Sequence, residues 1–360
     1  MKERLDRLRR ILIVEKLGAL FVTDQANVTY LTGFAGLSPH EREGFLFVTK
    51  KDAYLLTFPT YFGLYKKGSD SFKTVNITPV HRLTDYLNEI TQGQKIKHVG
   101  VEKENLTLSE MESLKAKTEF EFRETAGLVE KLREIKDEEE IGYISQAAAI
   151  TDDAFEFIKT KIRKGVTEHG LALELEFFIK KKADDIAFSP IVAFDENAAI
   201  PHYLPNKKQI TNNNLILLDF GAKIHGYCSD MTRVVFWGSP KNDKIVTIFQ
   251  TVLSAQEAVM SHLRIGKTGH EIDIIAKEII KNAGFPEYLH GLGHGVGLNI
   301  HEAPRLKKDS PDIMTKNMVV TVEPGIYIEG FAGTRIEDLV VLKEDGIEIL
   351  SKSDKTLQII

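Results

Sequence analysis

Two aspartates, Asp219 and Asp230, stand on either arm of the segment LILLDFGAKIHGYCSDMTRVV, residues 215–235. The apolar runs 215–218 and 232–236 flank a turn at His225 and Gly226, the pattern of a β-hairpin. Period-2 alternation puts both carboxylates on one face, directly opposite or one diagonal step apart. Buried beside Leu217, Leu218 and Val234, two such charges repel strongly unless a cation sits between them. The hairpin asks for a metal.

A second pair of acids repeats the pattern. MVVTVEPGIYI, from Met318, places Glu323 after an apolar run as Asp219 is placed, and TRIEDLVVL, from Thr334, places Glu337 ahead of one as Asp230 is. The loop LHGLGHGVGLNIHEAPR, residues 289–305, carries glycines at 291, 293, 295 and 297, which let backbone pass close to a ligand and bring His290 and His294 to the site. No GKS/T ending or strand-to-helix context makes it a phosphate loop. Four carboxylates and an imidazole form a hard donor set whose charge nearly cancels two divalent ions. Such ions acidify water and polarise a carbonyl, so the chemistry is hydrolysis.

The helices that must position these hairpins are doubled as well. KGVTEHGLALELEFFIKKKA from Lys164 resembles IGKTGHEIDIIAKEIIKNAG from Ile265, with Gly165 matching Gly266. Thr167 and Thr268 are natural N-caps, the second with Glu271 as capping-box partner. His169 and His270 occupy matching first-turn positions and read as echoes of the repeat. Upstream, Asp137 with Glu140 starts a helix whose buried stripe is Ile141, Ile144, Ala148, Thr151, Phe155, Ile158 and Ile162.

At 360 residues the chain is expected to form two domains, and 28% charged with 42% hydrophobic residues is the balance of a globular enzyme. The net charge of -5, without a basic stripe interleaved with aromatics, argues against nucleic acid. Charges interrupt every apolar run, and MKERLDRLRR has no signal-peptide core, so a cytoplasmic protein away from membranes is expected. The single cysteine, Cys228, excludes an internal disulfide framework.

Residues 1–123 read as an α/β domain. Leu5, Leu8, Leu12 and Leu17 line an opening helix that stops at Gly18; the block NVTYLTGF, residues 27–34, and strand runs at 19–23, 44–49, 53–57 and 98–102 follow. His40, His81 and His98 are scattered and read as structural or surface residues. Residues 124–360 form the second domain.

Taken together, NVTYLTGF, the Asp219–Asp230 hairpin, GLGHGVGLNIHE, TVEPGIYI and TRIED resemble the Xaa-Pro peptidase family of prolidases and aminopeptidase P. The resemblance covers essentially the whole chain. It implies a creatinase-like α/β N-terminal domain and an α+β pita-bread catalytic domain with an internal pseudo-twofold repeat. It implies that Asp219 holds one metal, His294 and Glu323 the other, and that Asp230 and Glu337 bridge both. Manganese comes first among Mn, Co, Zn and Fe. By the same resemblance Glu323 accepts the proton of the attacking metal-bridging hydroxide, His202 and His301 meet the substrate, His290 lines the site, and Tyr327 and Arg335 are accessory residues near the substrate and ligands. A homodimer is implied as well.

A dipeptidase must capture the carboxylate of a C-terminal proline, and Arg305, directly after HEAP, suits a charge-assisted clamp. This favours an Xaa-Pro dipeptidase, with aminopeptidase P as the alternative. A pita-bread binding protein without peptidase activity is a further rival; such relatives typically lose ligands, whereas all five positions are filled here.

Overall fold

The computed structural model describes residues 1–38 and 41–360; His40 lies outside the described residues. The chain divides into two compact units, Met1–Arg133 and Glu134–Ile360.

The first unit holds one six-stranded sheet. Strands β1 (Ala19–Val22), β2 (Gly44–Thr49), β3 (Ala53–Thr57), β4 (Lys73–Asn76), β5 (His98–Glu102) and β6 (Glu121–Thr125) lie in the order 4-3-2-1-5-6. Helix α1 (Lys2–Val14) buries Leu5, Leu8 and Leu12; it ends before Gly18, with Lys16 (φ 55°) taking the left-handed turn. NVTYLTGF forms helix α2 (Gln25–Thr32), capped by Asp24 and closed by Gly33 at φ 72°. Its Asn27 is a buried hub: Nδ2 donates to Glu102 and Glu130, each at 2.7 Å, and Oδ1 accepts from Arg133 at 2.7 Å. Because β6 runs to Thr125 and Arg133 is tied to Asn27, the first unit extends past the residue-123 boundary expected from sequence. Helices α3 (Pro59–Tyr65), α4 (Leu83–Gly93), α5 (Leu108–Lys117) and α6 (Glu130–Glu134) complete the helix order to this point. His81 and His98 face Glu89 and Glu121 at 3.0 and 2.9 Å.

In the second unit the repeat is visible element by element. Helix α7 (Glu138–Lys159) starts at the Asp137/Glu140 capping box, and α8 (Glu168–Lys182) is capped by Thr167. Their counterparts are α9 (Asp243–His262) and α10 (Gly269–Asn282), the latter with the Thr268/Glu271 capping box. After α8 come β7 (Asp185–Ile186), β8 (Ile191–Phe194), β9 (Asn214–Phe220), β10 (Ala222–Ile224), β11 (Tyr227–Cys228) and β12 (Met231–Trp237). After α10 come β13 (Gly293–Gly295), β14 (Glu302–Leu306), β15 (Val319–Val322), β16 (Gly325–Ile328), β17 (Ala332–Arg335), β18 (Asp338–Lys343), β19 (Gly346–Ile349) and β20 (Gln358–Ile359). The two main sheets run β20-β12-β9-β8 and β14-β13-β15-β18-β19. Each places its long hairpin beside one short preceding strand.

Both faces of β9 are buried, and alternation divides them. Ile216, Leu218 and Phe220 share a core with Phe155, Ile158, Leu171 and Leu175 of α7 and α8. Leu215 and Leu217 join the core of Ile248, Phe249, Val252 and Ile272 from α9 and α10. Val319, Leu339 and Val341 share theirs with Ile141, Ile144 and Ala148 of α7. Each such side chain contributes about 1.5–3 kcal/mol on burial, so the hairpins are fixed from both sides. Arg233 and Asp338, both fully buried, join β12 to β18 at 2.6 Å, and the Glu337 amide donates to the Thr232 carbonyl.

Candidate metal centre and substrate cavity

The first hairpin turns at His225 (φ 49°) and Gly226 (φ 82°), both left-handed as a type I′ turn requires. Asp219 pairs with Thr232, so Asp230 lies one diagonal step away on the same face. In the second hairpin Val322 pairs with Asp338 and Gly325 with Arg335. One register spans both pairs and sets Glu323 directly opposite Glu337.

Asp219, Asp230, His294, Glu323 and Glu337 all line one cavity of about 520 Å³, within the usual range for small-molecule sites. His294 Nε2 lies 3.3 Å from Glu323 Oε1 and 3.7 Å from Asp230 Oδ2. Ligand atoms of Asp230, His294 and Glu337 fall within 4.8 Å of one another. The His294 Nδ1–H donates to the Gly295 carbonyl at 3.1 Å, which leaves the Nε2 lone pair for a cation. Two threonines missed in the sequence complete the setting. Thr232 donates to Glu337 at 2.7 Å, and Thr321 donates to Glu323 at 3.1 Å. Each lies two residues from one of the clustered acids, so the same alternation that reveals the acids could have found them.

Charge argues for metal at this place. Burial, then repulsion from neighbouring acids, pushes the Asp230 and Glu337 carboxyls well above their ordinary range. Asp219 is also raised by burial, against the pull of Arg335. Glu323 would be raised by burial, but His294, His290 and Arg335 hold it below its ordinary value. Arg335 bonds Asp219 Oδ2, whereas Asp219 Oδ1 is buried without a hydrogen-bond partner. Three buried acids and the half-buried Glu323 facing one guanidinium, with an orphaned carboxylate oxygen and an imidazole nitrogen turned inward, fit divalent cations.

His202, His290, His301, Arg305 and Arg335 line the same cavity. His301 stacks edge-on to His294 with ring centroids 4.4 Å apart. Burial and the neighbouring His294 and Arg305 charges push its imidazole down to about 4. His290 donates from Nδ1 to the Gly291 carbonyl at 2.6 Å, and its Nε2 accepts from Tyr327 at 2.9 Å. Tyr327 does not line the cavity; its hydroxyl also accepts from Arg335 at 3.0 Å, so it stands behind both residues. Tyr203 turns its hydroxyl to buried Glu168. Phe188, Pro190, Ile191, Pro201, Leu204 and Ile300 supply apolar walls, and Lys307 adds a cation the motifs did not single out.

A doubled hairpin fold that gathers acids and a histidine at one cavity is the arrangement of a metal-dependent hydrolase. Residues 142–344 match the model of metallopeptidase family M24, and residues 4–135 match the creatinase/prolidase N-terminal domain. The chain is 34% identical to the Xaa-Pro dipeptidase of Pyrococcus furiosus, over 99% of this chain and 100% of that one. The Xaa-Pro dipeptidase structure from Bacillus anthracis superposes with a TM-score of 0.94 at 36% identity, covering 99% of each chain. An X-Pro aminopeptidase structure from Thermotoga maritima gives 0.89 at 33% identity, covering 99% of this chain and 100% of that one. The chain therefore belongs to metallopeptidase family M24, among its Xaa-Pro peptidases, with a creatinase-type N-terminal domain and a pita-bread catalytic domain. Among the described residues no helix is long and apolar enough to cross a membrane.

Proposed function

We propose that this protein is an Xaa-Pro dipeptidase with a dinuclear centre, releasing proline from the C-terminus of dipeptides. The observation that carries the dipeptidase reading is Arg305. It pairs with His294 across β13 and β14 and lines the cavity, and among the described residues its guanidinium has no protein carboxylate. A free C-terminal carboxylate is its natural partner.

Asp219, Asp230, His294, Glu323 and Glu337 would hold two divalent ions, manganese first among Mn, Co, Zn and Fe. When bound, such ions acidify water and polarise the peptide carbonyl. Thr321 engages Glu323 Oε1, leaving Oε2 to accept a proton from the attacking water. His301 stays neutral above about pH 4 and can donate a hydrogen bond to the carbonyl oxygen as charge develops. His202 contacts substrate from the opposite loop. Tyr327 fixes His290 as a wall of the site and steadies Arg335 against Asp219. A proline bond offers no N–H, so the apolar walls must select the ring by shape.

The test is hydrolysis of Met-Pro beside its C-terminal amide and a Met-Pro pentapeptide, with chelated and metal-restored protein. Metal-dependent cleavage favouring the free acid supports the dipeptidase. The likeness to the Thermotoga enzyme favours aminopeptidase P as second reading, and preferential loss of Met from the pentapeptide would establish it. A cytoplasmic homodimer accompanies the proposal; a monomer in sedimentation at micromolar concentration would count against the dimer.

A further inference from the structure

Arg305 is accompanied by a second cation. Lys307 follows it by two residues along the same chain segment, and the residue between them, Leu306, is buried in the core with no exposed surface. Lys307 is the first residue beyond the end of β14, and both it and Arg305 line the cavity. Among the described residues neither side chain has an ionic partner, whereas Arg335, also at the cavity, is bound to Asp219. The stem of Lys307 lies over bare backbone: a Cβ added to Gly291 would stand 3.2 Å from the Lys307 Cβ. The missing side chain at Gly291 gives the lysine its path along the wall.

The spacing of the two cations carries a consequence. Two residues of extended chain separate their Cα atoms by about 6.6 Å. Lengthening an extended substrate by one residue moves its terminal carboxylate by about 3.5 Å. A planar guanidinium on a paired strand suits one fixed carboxylate, while an ammonium on a four-carbon stem can swing back to meet a carboxylate placed further out. We propose that Lys307 is a second carboxylate-binding position, and that the site takes Xaa-Pro-Yaa tripeptides with a free C-terminus as well as Xaa-Pro dipeptides. This rests on the dipeptidase reading above and deepens it. The reaction is unchanged: water adds across the Xaa–Pro amide, releasing Xaa as an acid and Pro-Yaa as an amine. Longer peptides carry their carboxylate beyond both cations.

The experiment compares Met-Pro, Met-Pro-Ala and Met-Pro-Ala amide with metal-loaded wild type, Lys307→Gln and Lys307→Arg. Wild type is expected to cleave both free acids and to handle the amide about tenfold less efficiently, through KM. Lys307→Gln should lower the tripeptide-to-dipeptide ratio of kcat/KM about tenfold, again through KM, and Lys307→Arg should restore it. An unchanged ratio in Lys307→Gln overturns the proposal, as does equal cleavage of acid and amide tripeptides. Cleavage of the dipeptide but not the tripeptide by wild type overturns it while leaving the dipeptidase reading intact. Cleavage of neither sinks both.

Discussion

Tyr203 donates its hydroxyl to Glu168 Oε2 at 2.8 Å, joining the residue after His202 to the first turn of α8. Glu168 is completely buried, and Oε1 also accepts the Phe194 amide at 2.7 Å and Asn197 Nδ2 at 2.8 Å. One carboxylate thus gathers both ends of the loop that carries His202 to the cavity. Charge-assisted hydrogen bonds of this kind are worth about 1.5–3 kcal/mol each. Glu168→Gln turns an amide donor toward groups that already donate. It is expected to lower kcat/KM for Met-Pro about tenfold or more while metal content stays at the wild-type level, with Tyr203→Phe milder. Equal activity in Glu168→Gln would show that the loop holds itself.

The same helix start does the opposite job in the second half of the repeat. Thr167 and Thr268 are matching caps, so Gly269 stands where Glu168 stands. A Cβ there would lie 2.1 Å from the Arg305 carbonyl oxygen, against backbone that cannot swing aside. The first copy uses a side chain to hold its cavity loop; the second uses the lack of one to seat its strand. Gly269→Ala should therefore displace Arg305 and raise KM for Met-Pro about tenfold, at a stability cost of about 1–3 kcal/mol. Unchanged KM alongside lowered stability would separate packing from carboxylate capture.

The acids and their hairpins were readable because two periodicities coincide: alternation within each strand, and the repeat that doubles Asp219 and Asp230 as Glu323 and Glu337. The capping boxes at Asp137 and Thr268 were legible for the same local reason. Glu168 was not, because an acid in a first helical turn looks like an ordinary response to the helix dipole; only the fold reveals that a distant loop closes over it. Lys307 was hidden in a charged run, and Tyr327 is separated from the cavity by the residues it supports. Asn27 stood in a recognisable motif, yet its bonds to Glu102, Glu130 and Arg133 join positions far apart in sequence. Those bonds also explain why the first unit closes at Arg133 rather than Arg123.

Glu102 supplies a pH dependence within that first unit. It accepts from the Thr23 and Asp24 amides at 2.6 and 2.8 Å, but burial outweighs these donors and pushes its carboxyl up to about 7. With the folded pKa above the unfolded one, stability is fully present below about 4.5 and is lost as pH rises through about 7. The shift corresponds to a loss on the order of 3 kcal/mol. Urea unfolding between pH 5 and 8 should show this decline, and Glu102→Gln should flatten it. A slope that persists in the variant would assign the effect elsewhere.

The acids of the proposed metal centre set one group of charges against another, and removing the metal should expose the conflict. Asp230 and Glu337 have carboxyls raised by burial and by neighbouring acids. The metal-free fold is therefore most stable where both are protonated, and it weakens as pH rises through their raised values. Divalent cations require the deprotonated forms, so binding releases protons and strengthens with pH. At a hundredfold excess over Kd, one bound ion adds about 2.7 kcal/mol. Chelation should lower the melting temperature more at pH 8 than at pH 6, with readdition of Mn or Co restoring it. Asp230→Asn relieves the repulsion, so its metal-free form should melt above metal-free wild type at pH 8 and gain less from added ion. Melting curves that ignore the chelator at both pH values would contradict an acid cluster balanced by bound cations.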